Sequence, residues 1–171
     1  MERKIIMVTG GQRSGKSEFA EQLALSQTDV PVYVATAQVH DAEMRDRVAK
    51  HQQRRADRWL TIEEPLHLSS VHVDDKVALI DCVTLWATNM FFDCGDDADA
   101  AFLRLKEEFD AFTSQNSIFV FVTNEVGLGG TSENAMQRRF ADLQGAINRY
   151  IASQAQDVYF VISGIAMKIK G

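Results

Sequence analysis

The sequence predicts an α/β fold, a mostly parallel sheet flanked by helices, in one domain spanning residues 1–171. Three observations carry this expectation. Short β-branched or aromatic runs alternate with helix-length segments of apolar periodicity, a glycine-rich segment follows the first run directly, and no proline-rich or serine-rich linker divides the chain. With 171 residues, 46% of them hydrophobic and 25% charged, the chain is long enough to bury one full core.

Five runs read as buried strands: Ile5–Thr9, Val32–Thr36, Val77–Asp81, Ile118–Thr123 and Val158–Ser163. Between them, Lys16–Gln27, Ala42–Arg55, Ala98–Thr113 and Asn134–Gln154 carry apolar residues at helical spacing, as in Phe102, Leu105, Phe109 and Phe112. Phe92–Ala100, with Cys94, Gly95 and four aspartates, reads as an exposed loop leading into a helix.

Composition excludes several classes. A formal charge of −6 argues against a nucleic-acid surface, because polyanion binding needs a concentrated basic face. The apolar run in MERKIIMVTG is too short for a signal peptide, and no window approaches the roughly 18 apolar residues of a membrane span. Cys82 and Cys94 have no second pair with which to build a four-ligand metal site, so they read as reduced thiols of a cytoplasmic protein.

The segment GGQRSGKS comprises Gly10, Gly11, Gln12, Arg13, Ser14, Gly15, Lys16 and Ser17, and it has the Walker A spacing. It lies after a strand and before an amphipathic helix, which is the context that motif requires. Its glycines let several N–H groups converge on phosphate oxygens at a helix N-terminus, whose partial charge favours anions. Lys16 is expected to reach the β- and γ-phosphates and the Ser17 hydroxyl to ligate Mg2+. The fold expected is therefore that of a P-loop NTPase. Val77–Ile80 followed by Asp81 has the form of a Walker B strand with a magnesium-holding carboxylate, although strand ends also carry aspartate simply as a turn residue.

In AEMRDRVAKHQQRR, residues 42–55, helical spacing groups Arg47, His51, Arg54 and Arg55 on one surface. That surface is either an anion site or a solvated helix face. In the first case the neighbouring cations keep His51 neutral, with a nitrogen lone pair free to attack phosphorus. In TNEVGLGG, Asn124 and Glu125 fall at a strand's C-terminal end, where open α/β sheets bind ligands. Glu125 reads either as a base or substrate contact, or as part of a glycine-rich turn stabilised by Asn124.

Six blocks in order, GGQRSGKS, YVATAQ, AEMRDRVAKHQQRR, LIDCVTLWATNM, TNEVGLG and VISGIAMKIK, give the whole chain a resemblance to the bifunctional adenosylcobinamide kinase/adenosylcobinamide-phosphate guanylyltransferase family of cobalamin biosynthesis. The resemblance implies a RecA-like strand order. It also implies phosphorylation of the aminopropanol hydroxyl of adenosylcobinamide by ATP or GTP, then GMP transfer from GTP through a covalent histidine intermediate. His51 is the histidine of the matching block. Also by resemblance, residues Gly10 to Ser17 bind the nucleotide phosphates, Thr36, Ala37, Gln38, Gln52, Gln53, Arg54 and Arg55 line the guanine nucleotide site, and Glu63 and Asp81 add contacts. The partners implied are the nucleotides, adenosylcobinamide and its phosphate, and further copies of the chain in a homotrimer. Gln12, Lys50 and Asp81 depart from the family pattern without removing required chemistry. Two rival readings stay open: a single-activity kinase of another small alcohol, and a non-catalytic nucleotide switch.

Overall fold

The computed structural model describes residues 1–38 and 58–171. The helix expected over Ala42–Arg55, and with it His51, Gln52, Gln53, Arg54 and Arg55, lies outside the described residues.

Seven strands form one sheet in the order β3-β2-β4-β5-β1-β6-β7. They are β1 (Lys4–Gly10), β2 (Val32–Ala35), β3 (Leu60–Glu63), β4 (Val77–Asp81), β5 (Ile118–Asn124), β6 (Asp157–Ile162) and β7 (Ile165–Lys170). All neighbours are parallel except β6 and β7, which form an antiparallel hairpin. The helices are α1 (Lys16–Leu25), α2 (Val83–Asp93), α3 (Ala98–Phe112) and α4 (Ala135–Gln154).

The central strands read as continuous apolar runs because both of their faces are covered. Ile5, Met7, Ile80, Phe119 and Phe121 pack against Trp86, Phe91, Phe109, Phe112, Leu143 and Ile147 of α2, α3 and α4. The alternate residues Ile6, Val8, Leu79, Val120 and Val122 pack on the other side with Ala20 and Ala24 of α1. The period of two along each strand thus sorts one sequence run into two core layers. Phe109 and Phe112 also meet Phe121 at centroid distances of 5.1 and 6.4 Å.

Both longer helices start where a side chain satisfies their free N–H groups. Asp97 accepts from the backbone N–H of Asp99 and Ala100 at 3.0 Å, and Asn134 accepts from those of Met136 and Gln137 at 2.9 and 3.2 Å. In α3 the expected stripe is realised: Leu105, Phe109 and Phe112 are buried, while Phe102 packs at its edge on Tyr150.

Among the described residues, two strands and one α-helix go beyond those expected from sequence. Short β3 pairs on β2 at the sheet's edge, β7 pairs on β6 at the other, and α2 begins immediately after β4. Phe92 and Asp93 accordingly belong to α2, which leaves a tight Cys94–Asp97 connection in place of the longer loop expected.

Candidate active site

The candidate site lies at the C-terminal ends of β1, β4 and β5. Gly10 ends β1, and the chain then turns through Arg13 and Gly15, at φ +58° and +90°, before α1 begins at Lys16. Two glycines are required by space or conformation. A Cβ on Gly10 would lie 2.5 Å from the Val161 carbonyl oxygen, and one on Gly15 would adopt a left-handed backbone 3.2 Å from Gly164 Cα. The β6–β7 turn braces the loop from outside, since the Gly164 N–H donates to the Ser14 carbonyl at 2.8 Å.

Lys16 closes the loop on itself, Nζ donating to the Gly11 carbonyl at 3.1 Å. Burial lowers its pKa, and the charges of Cys82 and Asp81 oppose that shift. Burial pushes the Cys82 thiol up to about 12, so at neutral pH the counter-charge facing Lys16 is the Asp81 carboxylate. Cys82 is therefore an unreactive thiol, in keeping with a reduced structural cysteine.

A cleft of about 670 Å³ brings these groups together: Gln12 through Glu18 on the loop and α1, Asp81 and Cys82 at the end of β4, and Asn124 at the end of β5. Ser17 and Asp81 thus supply hydroxyl and carboxylate oxygens to one cleft, a donor set suited to a hard divalent cation. Asp81 is oriented by the Tyr33 hydroxyl, which donates to its Oδ2. Tyr33 in turn packs edge-on against Trp59 at 5.8 Å.

The other expected residues are placed unequally. The Thr36 side chain is buried, donating to the Cys82 carbonyl at 2.8 Å and accepting from its N–H at 2.9 Å, so it fixes the turn after Asp81. Asn89 Nδ2 donates to the Thr36 carbonyl at 2.7 Å. Gln38 lines a smaller cleft with Leu85, Thr88 and Phe92. Glu63 ends β3 in register with Ala35, which is itself in register with Asp81, so Glu63 stands two strands, or about 10 Å, from Asp81 on the same face of the sheet.

The strand pleat separates Asn124 from Glu125. Asn124 follows Val122 on the α1 side and reaches the phosphate-loop cleft, whereas Glu125 turns to the α4 side. There Glu125 accepts from Thr9 Oγ1 at 2.7 Å and from Asn148 Nδ2 at 3.4 Å, while its N–H donates to the Gly10 carbonyl at 3.1 Å. These bonds tie β5 to β1 and hold Glu125 on the α4 side, away from the phosphate-loop cleft. Sequence reasoning missed Tyr33 and Thr84 as site-supporting residues. Both lie inside the quoted blocks, but only the sheet order brings them to Asp81 and Asn124.

A strand, glycine loop and helix carrying Lys16 and Ser17, with a carboxylate on the next strand but one of a mostly parallel sheet, define a P-loop nucleotide-binding protein of the RecA-like class. Solved structures agree at the level of fold. The flagellar accessory protein FlaH of Methanocaldococcus jannaschii has a TM-score of 0.52 at 14% identity, covering 99% of this chain and 79% of its own. A KaiC-like protein of Pyrococcus horikoshii gives 0.52 at 14%, covering 93% and 72%. The chain belongs to the cobinamide kinase / cobinamide phosphate guanyltransferase family, whose model matches residues 6–169. It is 38% identical to the bifunctional adenosylcobalamin biosynthesis protein CobU of Escherichia coli K12, over 97% of this chain and 99% of the relative. The corresponding protein CobP of Pseudomonas aeruginosa is 37% identical, over 96% of each.

Proposed function

We propose that this protein phosphorylates the aminopropanol hydroxyl of adenosylcobinamide with ATP or GTP, then transfers GMP from GTP to the resulting phosphate. The observation that carries the reading is the convergence of Lys16, Ser17 and Asp81 in one cleft, in a chain of this family. In the first reaction the substrate hydroxyl oxygen bonds the γ-phosphorus, the bond to the bridging oxygen breaks, a nucleoside diphosphate leaves, and the hydroxyl proton is released to solvent. The loop N–H groups and Lys16 neutralise charge that builds on the transferring group.

In the second reaction the neutral imidazole of His51 bonds the α-phosphorus of GTP and pyrophosphate leaves. The phosphate of adenosylcobinamide phosphate then displaces the imidazole, giving adenosylcobinamide-GDP. Thr36, Ala37, Gln38, Gln52, Gln53, Arg54, Arg55 and Glu63 are the residues proposed to line the guanine nucleotide site. Mg2+ would be held by Ser17 and Asp81, where it offsets phosphate charge when bound. The reading includes a cytoplasmic homotrimer formed of single-domain chains. No described helix is long and apolar enough to cross a membrane.

GTP labelled at the α-phosphate tests the reading directly. An acid-labile protein adduct that disappears in His51→Ala is the expected result, with phosphorylation of adenosylcobinamide retained in part. An adduct that survives in His51→Ala removes the histidine from the mechanism. No adduct in the native protein, together with persistent kinase turnover, leaves a single-activity kinase.

A further inference from the structure

The sheet is covered unequally at its β7 edge. On the α1 side, Tyr159, Val161 and Ala166 of the β6–β7 hairpin join a core layer, where Tyr159 meets Phe19 of α1 at a centroid distance of 5.1 Å. The alternate residues Phe160, Ile162, Ile165 and Met167 face the α4 side together with Ile169, and none of the five joins either core layer. On that side of the hairpin only Val158 reaches the core. Ile162, Ile165, Met167 and Ile169 are 45–68% exposed. Alternation in an antiparallel pair normally turns its apolar face inward, whereas here that face is bare among the described residues. Its apolar area is on the order of 400 Å², the size at which a contiguous patch marks an interaction site.

A complementary surface lies elsewhere on the same chain. Phe92 in α2, Val126 and Leu128 in the short 3-10 turn after β5, and Met136 at the start of α4 are exposed large apolar residues. Phe92, Val126 and Met136 line a concave cleft of about 560 Å³ with Phe91 and Phe140. The charges beside the two surfaces are opposite in sign. Asp93, Asp96, Asp97 and Asp99 follow Phe92 with no base between them, whereas β7 carries Lys168 and Lys170 and no acid. Arg138, the cation among the residues lining the cleft, is already held by the Ser132 and Glu133 carbonyls at 3.0 and 2.7 Å. Such a charge pattern orients two approaching surfaces, and their apolar centres supply the affinity. Two different apolar surfaces on one chain suit a head-to-tail contact. An isologous pair would use one surface and leave the other bare.

We propose that copies of this chain assemble head to tail, with the α4-side face of one copy's β6–β7 hairpin seated in the cleft between α2 and α4 of the next. This gives the assembly in the proposed function its contact surfaces, and it does not depend on the reactions assigned there. The contact also bears on the phosphate loop. The hairpin's turn carries the Gly164 N–H that donates to the Ser14 carbonyl, so a seated hairpin steadies the loop's outer brace.

Sedimentation velocity over a range of protein concentrations tests the contact. Ile165→Lys on the hairpin and Leu128→Lys beside the cleft alter side chains that are 68% and 73% exposed in the single chain, so each variant should keep its circular dichroism and urea midpoint. Each should weaken association by about thirtyfold or more, the loss of one central anchor, and sediment as a monomer where the native protein is assembled. Met167→Lys repeats the hairpin test if Ile165→Lys fails to fold. Mixed together, the two monomeric variants should form a one-to-one pair at higher concentration, because the unaltered hairpin of the Leu128 variant fits the unaltered cleft of the Ile165 variant. A native protein that sediments as a monomer, a folded variant that keeps the native size, or a mixture that stays monomeric overturns the proposal. Assembly through these faces in a protein that transfers nothing to adenosylcobinamide upholds it and refutes the proposed activity.

Discussion

Lys16 is 8% exposed, and its ammonium faces a carboxylate, a thiol and a backbone carbonyl in place of water. Burial holds its pKa below the ordinary lysine value, so the charge that attracts phosphate is lost at lower pH than in a free lysine. Bound phosphates restore the favourable field and raise the pKa again. Triphosphate binding should therefore take up protons, and affinity should fall as pH rises through the lowered value of the free site. Titration calorimetry in buffers of different ionisation enthalpy checks this: proton uptake that grows with pH is expected, and none in Lys16→Met. That substitution should also weaken binding by about tenfold to a hundredfold, the worth of a charge-assisted hydrogen bond. At this scale Lys16, Ser17 and the glycines were legible because the loop is contiguous in sequence. Thr84 and Tyr33 were not, and of Asn124 only its place at a strand's C-terminal end was. Their roles come from hydrogen bonds between residues forty or more positions apart, and no local spacing encodes those.

Among the elements, the β6–β7 hairpin shows how a segment of no evident chemistry shapes the site. Ser163 and Gly164 turn the chain at φ +51° and +78°, and from this turn Gly164 donates to Ser14. Two successive positive φ values match a tight hairpin turn in which glycine suits the second position and asparagine the first. Gly164→Ala places a Cβ in the left-handed region, at a cost of about 1–2 kcal/mol. It should lower the urea midpoint and weaken triphosphate binding, because the loop's outer brace shifts with the turn. Ser163→Asn should raise the midpoint and leave binding intact. Chemical denaturation and nucleotide titration of the two variants check the pair, and an unaltered affinity in Gly164→Ala would separate the turn from the loop. The apolar run read as the last strand extends through Ser163 with no element expected after it, and Ile165 and Ile169 stay 68% and 61% exposed on the edge strand, so hydrophobicity alone gave β7 no buried face. Helix α2 was obscured differently. It has no capping side chain, begins one residue after β4, and buries Val83, Trp86, Ala87, Met90 and Phe91, which makes its start resemble a continuing apolar strand.

Across the whole molecule the alternation of strands and helices, the parallel sheet and the placing of a ligand cleft at strand C-termini follow from the apolar patterning. The patterning did not reveal the two edges, where short β3 and antiparallel β7 complete the sheet. The second edge is fastened to the centre by charge. Asp157 at the start of β6 is bridged by Lys4 of β1 at 2.6 Å and by Lys168 of β7 at 2.7 Å, so one carboxylate links three adjacent strands. Hydrogen bonds from Lys168 and then Lys4 hold its pKa below the ordinary aspartate value. A carboxyl whose folded pKa is depressed adds stability above its unfolded pKa, and that stability disappears as pH falls through the folded value. The fastening should thus be complete at neutral pH and fail only in acid, beginning near pH 4 and ending below it. Asp157→Asn should lower the urea midpoint at pH 7 and flatten its decline between pH 5 and the acid limit, bringing the curves of variant and native protein together at low pH. Parallel curves, with the same gap at pH 7 and in acid, would mean that the carboxylate's charge contributes nothing to holding the hairpin against the sheet.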